Sequence, residues 1–261
     1  MKYAIVLGDG MADWKISALG DKTCLEAADT KTLNALAPRS EVGLCKTVPD
    51  GLKPGSDVAN MSVLGFNPHD YYTGRSPLEA VSMGIKLTET DVTLRCNLVT
   101  LSEEEHYEDK TMVDYSAGEI STEEAAELIS YLKKYLDDDI FTLYSGISYR
   151  HCLVVKNGAT GHDLTPPHDI SDKEIAGHLP KGKNGETYLA MMKKSAELLK
   201  NHPVNLKRIA EGKKPANSIW LWGEGTKPAL SPFEKVRGLK GGIISAVDLV
   251  KGIGMLAEMK V

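Results

Sequence analysis

The chain has 261 residues, enough for one large domain or two modest ones, each with its own core. Apolar residues make up 42% and charged residues 26%, and the formal net charge is −5, a balance that fits a globular fold and argues against a nucleic-acid binder, which would carry a basic excess. No apolar run approaches the roughly 20 residues of a membrane span. Cys24, Cys45, Cys96 and Cys152 form no C-x-x-C pair, so zinc-ribbon and thioredoxin-like readings have no support, and scattered cysteines point to a reducing compartment, the cytoplasm.

In chain order, Tyr3 to Leu7 is an apolar run of β-formers ended by Gly8-Asp9-Gly10, which predicts a strand buried on both faces, as in a parallel sheet. A helix is expected over Leu25 to Ala37 and a short strand over Val42 to Val48. After a turn-rich segment from Pro49 to Gly55, Ser56-Asp57 opens a helix over Val58 to Leu64, stopped at Gly65. Val92 to Thr100 reads as a strand with Val92, Leu94, Cys96 and Leu98 on its apolar side. Ser121-Thr122-Glu123-Glu124 is a capping-box signature before an amphipathic helix with the stripe Ala125, Leu128, Ile129, Leu132 and Leu136. Cys152 to Val155 is a strand candidate, 157 to 186 a run of loops, and Tyr188 to Leu199 a second amphipathic helix. Ser218 to Trp222 and Gly242 to Ala246 read as strands, and Val247 to Met255 as a helix. Alternating strands and helices make the class α/β. The middle, about 90 to 215, is more polar and reads as a separate lobe. The last residues, Met255 to Val261, stop as if entering another strand, so a fragment of a longer protein is expected.

Asp9 follows the first strand, where open α/β sheets bind ligands, and flanking glycines let backbone approach a metal or phosphate. It is equally a common turn residue. Ser56, between Gly55 and Asp57 at a helix start, has the helix N-terminus to stabilise an alkoxide or a covalent phosphate, and needs a base or metal to become a nucleophile. It also suits a simple N-cap. Arg75, Arg95 and the pair Arg150-His151 are candidate phosphate or carboxylate contacts, or plain ion-pair partners. His162-Asp163 and His168-Asp169 are loop pairs able to ligate a metal or phosphate or simply to be solvated. Gly223-x-Gly225 lacks the third glycine of a nucleotide fingerprint.

Taken together, Leu7 to Asp13, Pro54 to Gly65 and Tyr71 to Ala80, with Arg95-Cys96-Asn97, Pro203-Val204-Asn205 and Pro215-Ala216-Asn217, resemble the cofactor-independent phosphoglycerate mutases of the archaeal type, within the alkaline phosphatase superfamily. The resemblance covers nearly all of the chain. It implies an alkaline-phosphatase-like sheet with helices on both faces, incomplete here, plus an inserted α+β lobe. Residues 1–88 and 216–261 would form the metal and nucleophile domain, and 89–215 the substrate-binding lobe. Asp9 would be a metal ligand. Ser56 would bind metal and carry a phosphoserine while 2- and 3-phosphoglycerate interconvert in glycolysis and gluconeogenesis. Two Mn²⁺ or Mg²⁺ ions would serve both half-reactions, with no 2,3-bisphosphoglycerate. Arg75, Arg95, Arg150, His151 and Lys251 would contact the small phosphorylated metabolite. No nucleic acid or membrane partner is implied, and self-association is expected from apolar surface left by missing strands.

Two departures stand out. The family's later Gly-Ala-Thr-Gly turn and Asp-x-x-x-His-Asp type ligand cluster are absent, so the 261 residues alone are expected to be inactive. The family's Asp-Arg-Arg-Ala-Gly-Arg motif is replaced by Asp114-Tyr115-Ser116-Ala117-Gly118-Glu119, which trades three guanidinium groups for a carboxylate. Tyr149 to Cys152 and Trp220 to Gly225 resemble a bacterial branch proposed to act as homoserine kinase, whose substrate ammonium Glu119 or Asp114 would meet. A non-catalytic module and a simple phosphatase or sulfatase are the remaining alternatives.

Overall fold

The computed structural model describes residues 1–261, which fall into a first unit, Met1–Lys46, and a second, Thr47–Val261. In the first unit the expected long helix is two short ones, α1 (Cys24–Ala27) and α2 (Lys31–Leu36). Ala28, at ψ 154°, is extended and breaks the run. Thr23 and Glu26 form a reciprocal capping box at the start of α1, with bonds of 3.1 and 2.8 Å. The strands expected over Tyr3 to Leu7 and Val42 to Val48 are not formed. Neither segment has a ladder partner, and their apolar side chains are open to solvent, Val6 at 93% and Leu44 at 105%. A strand buried on both faces needs neighbours along both edges, and the first unit supplies none.

The second unit begins with α3 (Ser56–Val63), α4 (Pro68–Tyr71) and α5 (Ser76–Ser82). The helix at Ser56 ends where the sequence places its stop, since Gly65 takes φ +81°. Then come β1 (Val92–Leu101), β2 (Met112–Asp114), α6 (Thr122–Leu136), β3 (Phe141–Tyr144) and β4 (Arg150–Val155). After the loops follow α7 (Gly185–Leu199), α8 (Pro203–Ala210), β5 (Ser218–Thr226), α9 (Phe233–Arg237) and α10 (Asp248–Leu256). The class is mixed α/β, as expected, but the five strands pair antiparallel throughout. β1 is the spine. β4 pairs along Val92 to Asn97 and β2 at Thr100 and Leu101, while β5 runs along the opposite edge from Val92 to Val99.

All ten residues of β1 are buried, which its alternation did not indicate. One sheet face, with Leu94, Cys96, Leu98 and Leu153, packs on the apolar stripe of α6 and on Tyr188 and Met192 of α7. The other, with Cys152 and Val154, meets Ala80 at α5 and the following Ile85 and Leu87. The Ser121 hydroxyl accepts from the Glu124 amide and starts α6 as the capping signature requires. A bulge interrupts the β1–β5 ladder. Thr93 faces Gly225 and Arg95 faces Trp222, so Gly223 and Glu224 together span the stretch opposite Leu94. Gly223 accepts this at φ +62°. The strand expected over Gly242 to Ala246 is reduced to one bridge, Gly242 to Lys260. β2, β3, α4, α5, α8 and α9 had no counterpart in the sequence reading.

Candidate active site

α3 is a full two turns, so its first amides have no intrahelical acceptor and point at whatever occupies its N-terminus. Ser56 is its first residue and is solvent-exposed, directly after the Gly55 N-cap. Asp57 is turned inward. Its carboxylate accepts from the Val58 amide at 3.0 Å and from the Tyr72 hydroxyl at 2.6 Å. A Cβ on Gly55 would stand 2.4 Å from Asp57 Oδ1, so glycine is what lets the chain pass the buried carboxylate into Ser56. Burial, then the Asp57 bond, pushes the Tyr72 hydroxyl well above its usual range, which keeps it a donor.

The guanidinium groups assemble around a residue that sequence reasoning missed. Glu79, on α5, accepts from Arg75 Nε at 2.8 Å, and its other oxygen forms an ion pair with Arg95 Nε at 2.8 Å. Arg75 is the N-cap of the same helix, and Arg95 comes from β1. The Arg75–Glu79 spacing of i,i+4 was the available signal, whereas nothing in the sequence ties Glu79 to Arg95. These contacts of Glu79 run through Nε, and each guanidinium has Nη donors besides, which suit an anion. The Arg95 guanidinium lies 4.1 Å from the Trp222 ring centroid. Burial pulls its pKa below the ordinary arginine value, and Glu79 opposes that shift.

Trp222 Nε1 donates to Asn97 Oδ1 at 3.0 Å, and Asn97 Nδ2 donates to the Tyr115 carbonyl at 3.0 Å. The His168 ring stacks edge-on to Trp222 at 5.2 Å and to Tyr115 at 6.1 Å, and Tyr115 meets Tyr149 at 5.9 Å. Arg150 is exposed, 5.2 Å from the Tyr149 ring. Arg75, Arg95, Arg150, Asn97 and Trp222 therefore belong to one network of cations and aromatic rings, and His168 joins it from the loops.

His151 does not. It sits opposite Cys96, whereas Arg150 sits opposite Asn97 and Cys152 opposite Arg95, so its ring points to the other sheet face. It is buried, accepts from the Gly146 amide at 3.0 Å through Nδ1, and has no partner at Nε2. Burial pushes its pKa down to about 3. A histidine neutral in the fold and chargeable when unfolded costs stability as pH falls below its unfolded value of about 6.5, with the loss growing until the folded pKa. His151→Phe is expected to flatten that part of the stability–pH curve, measured by urea midpoints between pH 7 and 4. An unchanged slope would remove His151 as the cause.

Lys251 pairs with Asp248 at 2.7 Å, and Asp248 also accepts from Ser82 at 3.1 Å, so Lys251 lies at the far end of α5. His162 is held by Glu224, whose carboxylate also accepts from the Gly161 and His162 amides. Asp9 lies in the first unit, exposed in a turn with Gly10 at φ +69°. No group of three or more His, Cys, Asp or Glu side chains is gathered as a metal site.

The sequence from residue 37 to 205 matches the family model for 2,3-bisphosphoglycerate-independent phosphoglycerate mutase. The chain belongs to that family. Among curated mutases so named, it is 53% identical over its whole length to one from Methanosarcina barkeri, and spans 64% of that protein. It is 50% identical to a protein from Geobacter sulfurreducens named as a probable mutase of this kind, spanning 65% of it. Among solved structures, 97% of the chain superposes on 58% of a Pyrococcus horikoshii protein with a TM-score of 0.72 and 27% identity. A cofactor-independent phosphoglycerate mutase from Thermoplasma acidophilum aligns over 96% of this chain and 67% of its own, with a TM-score of 0.55 and 25% identity. Ser56, Arg75, Arg95 and Arg150 all lie in the second unit.

Proposed function

We propose that this chain carries the nucleophile and the anion-recognition site of an enzyme that interconverts 2- and 3-phosphoglycerate through a phosphoserine, without 2,3-bisphosphoglycerate. The observation that carries this reading is the exposed Ser56 at the N-terminus of α3, in the same unit as the Arg75–Glu79–Arg95 network. Ser56 Oγ would bond to phosphorus as the substrate ester oxygen leaves, and the serine proton would pass to that oxygen. The second half-reaction returns the phosphoryl group to the other hydroxyl of glycerate. The α3 amides would stabilise the added negative charge, while Arg75, Arg95 and Arg150 bind the phosphate and carboxylate.

Asp9 and Ser56 are hard oxygen donors of the kind Mn²⁺ and Mg²⁺ take, and we propose them as metal ligands. Two donors fall short of the roughly six that each ion needs. The residues present therefore do not by themselves hold two ions, and the chain alone is expected to be inactive. Residues 1–88 and 216–261 would form the nucleophile part and 89–215 the substrate lobe, in the cytoplasm.

The test extends the chain to the length of its relatives and supplies Mn²⁺ with 3-phosphoglycerate. Formation of 2-phosphoglycerate, lost by more than about 10³-fold in Ser56→Ala, is the expected result. Turnover retained by Ser56→Ala would sink the phosphoserine. Phosphohomoserine formed from ATP and homoserine, without mutase turnover, would transfer the same nucleophile to a kinase reaction.

A further inference from the structure

Three consecutive residues between β2 and α6 adopt left-handed backbone, Ala117 at φ +49°, Gly118 at +65° and Glu119 at +50°. Only the glycine does so freely. A residue with a Cβ pays for this conformation, so two such residues on either side of a glycine persist only where the surroundings hold them.

The holding groups are plain. Arg208, on α8, is 3% exposed. Its Nη2 donates to the Ala117 carbonyl at 2.7 Å, its Nε to the Lys214 carbonyl at 2.9 Å, and its Nη1 to Glu124 at 2.6 Å. At the front of the turn, Asp114 Oδ1 accepts from the Ser116 amide at 2.8 Å and hydroxyl at 2.7 Å, and Asp114 Oδ2 pairs with Lys214 at 2.8 Å. The product of this clamping is the placement of Tyr115. Its carbonyl is fixed by Asn97, and its ring lies against Tyr149 and His168, beside the Arg95–Trp222 stack.

We propose that Arg208 is a positioning residue for substrate recognition: by holding the left-handed turn 117–119 it seats Tyr115 as a wall of the Arg95–Arg150 site. Arg208 touches no substrate. It acts through the Ala117 carbonyl, and the strained turn returns to ordinary backbone when that bond is lost. The proposal rests on the reading of that site as the one that binds phosphoglycerate.

The test uses the 261-residue chain and Arg208→Lys, which keeps the charge beside Glu124 but lacks the fork that reaches both carbonyls. Without ligand, amide exchange over 117–120 is expected to rise about tenfold and the ring-current-shifted Tyr115 proton signals to move. Affinity for 3-phosphoglycerate, read by calorimetry, is expected to fall about tenfold. Adding Ala117→Gly makes left-handed backbone cheap at that position and is expected to restore the Tyr115 signals. A residue that merely stabilised the core would show no such rescue. If Arg208→Lys does not fold, Asp114→Ala opens the turn from its front and should give the same signature. Unmoved Tyr115 signals, failed glycine rescue, or undiminished affinity in Arg208→Lys would each overturn the proposal. A parent chain that fails to bind 3-phosphoglycerate while the Tyr115 signals respond as described would overturn the functional reading instead.

Discussion

Glu79→Gln is expected to lower folding stability by roughly 3 kcal/mol, the scale for removing one partner of a buried ion pair. Glu79 is the carboxylate between Arg75 and Arg95, and the Arg95 side chain is only 10% exposed. Without the negative charge, the Arg95 guanidinium stays buried with the Trp222 face as its main compensation. An exposed pair would cost far less, because water would solvate the orphaned cation. The measurement is the urea midpoint of Glu79→Gln beside Arg95→Met and the double variant. If Glu79 acts by neutralising Arg95, the double variant regains most of the loss, as expected for groups that touch. Additive losses would mean that Glu79 matters for something other than the charge of Arg95. The same substitution should weaken 3-phosphoglycerate binding, since a single amide oxygen cannot hold both guanidinium groups that the carboxylate pairs with.

Gly252→Ala is expected to cost about 2–3 kcal/mol, although alanine is the better helix former by roughly 1 kcal/mol. α10 crosses α5 so closely that a Cβ on Gly252 would stand 1.9 Å from the Leu78 carbonyl oxygen. That neighbour is backbone and has no rotamer to yield. The helices would have to part, loosening Met61, Leu78, Leu249 and Ile253, which form the core beneath α3. Gly254→Ala is the control. Its Cβ would meet the Ile243 side chain end at 2.6 Å, which can turn aside. Thermal midpoints should fall several degrees for Gly252→Ala and little for Gly254→Ala. Equal effects would show that helix crossing is not what the glycine permits.

Much of the second unit was legible because its signals are local. Ser121 with Glu124, Gly65 after α3, and the apolar run of β1 each act within a turn or a strand. The capping signature was half right. Ser121 accepts the Glu124 amide, but the Glu124 carboxylate goes to Arg208 on α8 instead of returning to the cap. α8 itself was missed because Pro203 read as the end of α7, when proline is also the preferred first residue of a helix. β3 was missed beside Asp137, Asp138 and Asp139, which look like loop until Asp138 is seen accepting the Ile140 and Phe141 amides at 2.7 Å. In the site, Ser56, Arg75 and Arg95 could be named singly, but Glu79 as their hub depends on β1 meeting α5, a pairing no local pattern encodes. Tyr3 to Leu7 failed for the converse reason: a strand pattern states a preference, and only a partner strand makes it a ladder.

The antiparallel sheet has a consequence for how the chain is made. β1 takes its partner β5 from far downstream, after the whole 102–217 stretch. At a synthesis rate of about 5–20 residues per second, β5 leaves the ribosome roughly ten seconds after β1. Throughout that interval the edge from Val92 to Val99 has open amides and carbonyls and some of the most apolar side chains in the protein. Nascent chains of this protein are thus vulnerable to cross-pairing with one another on crowded polysomes, and a holding chaperone would find its target in β1.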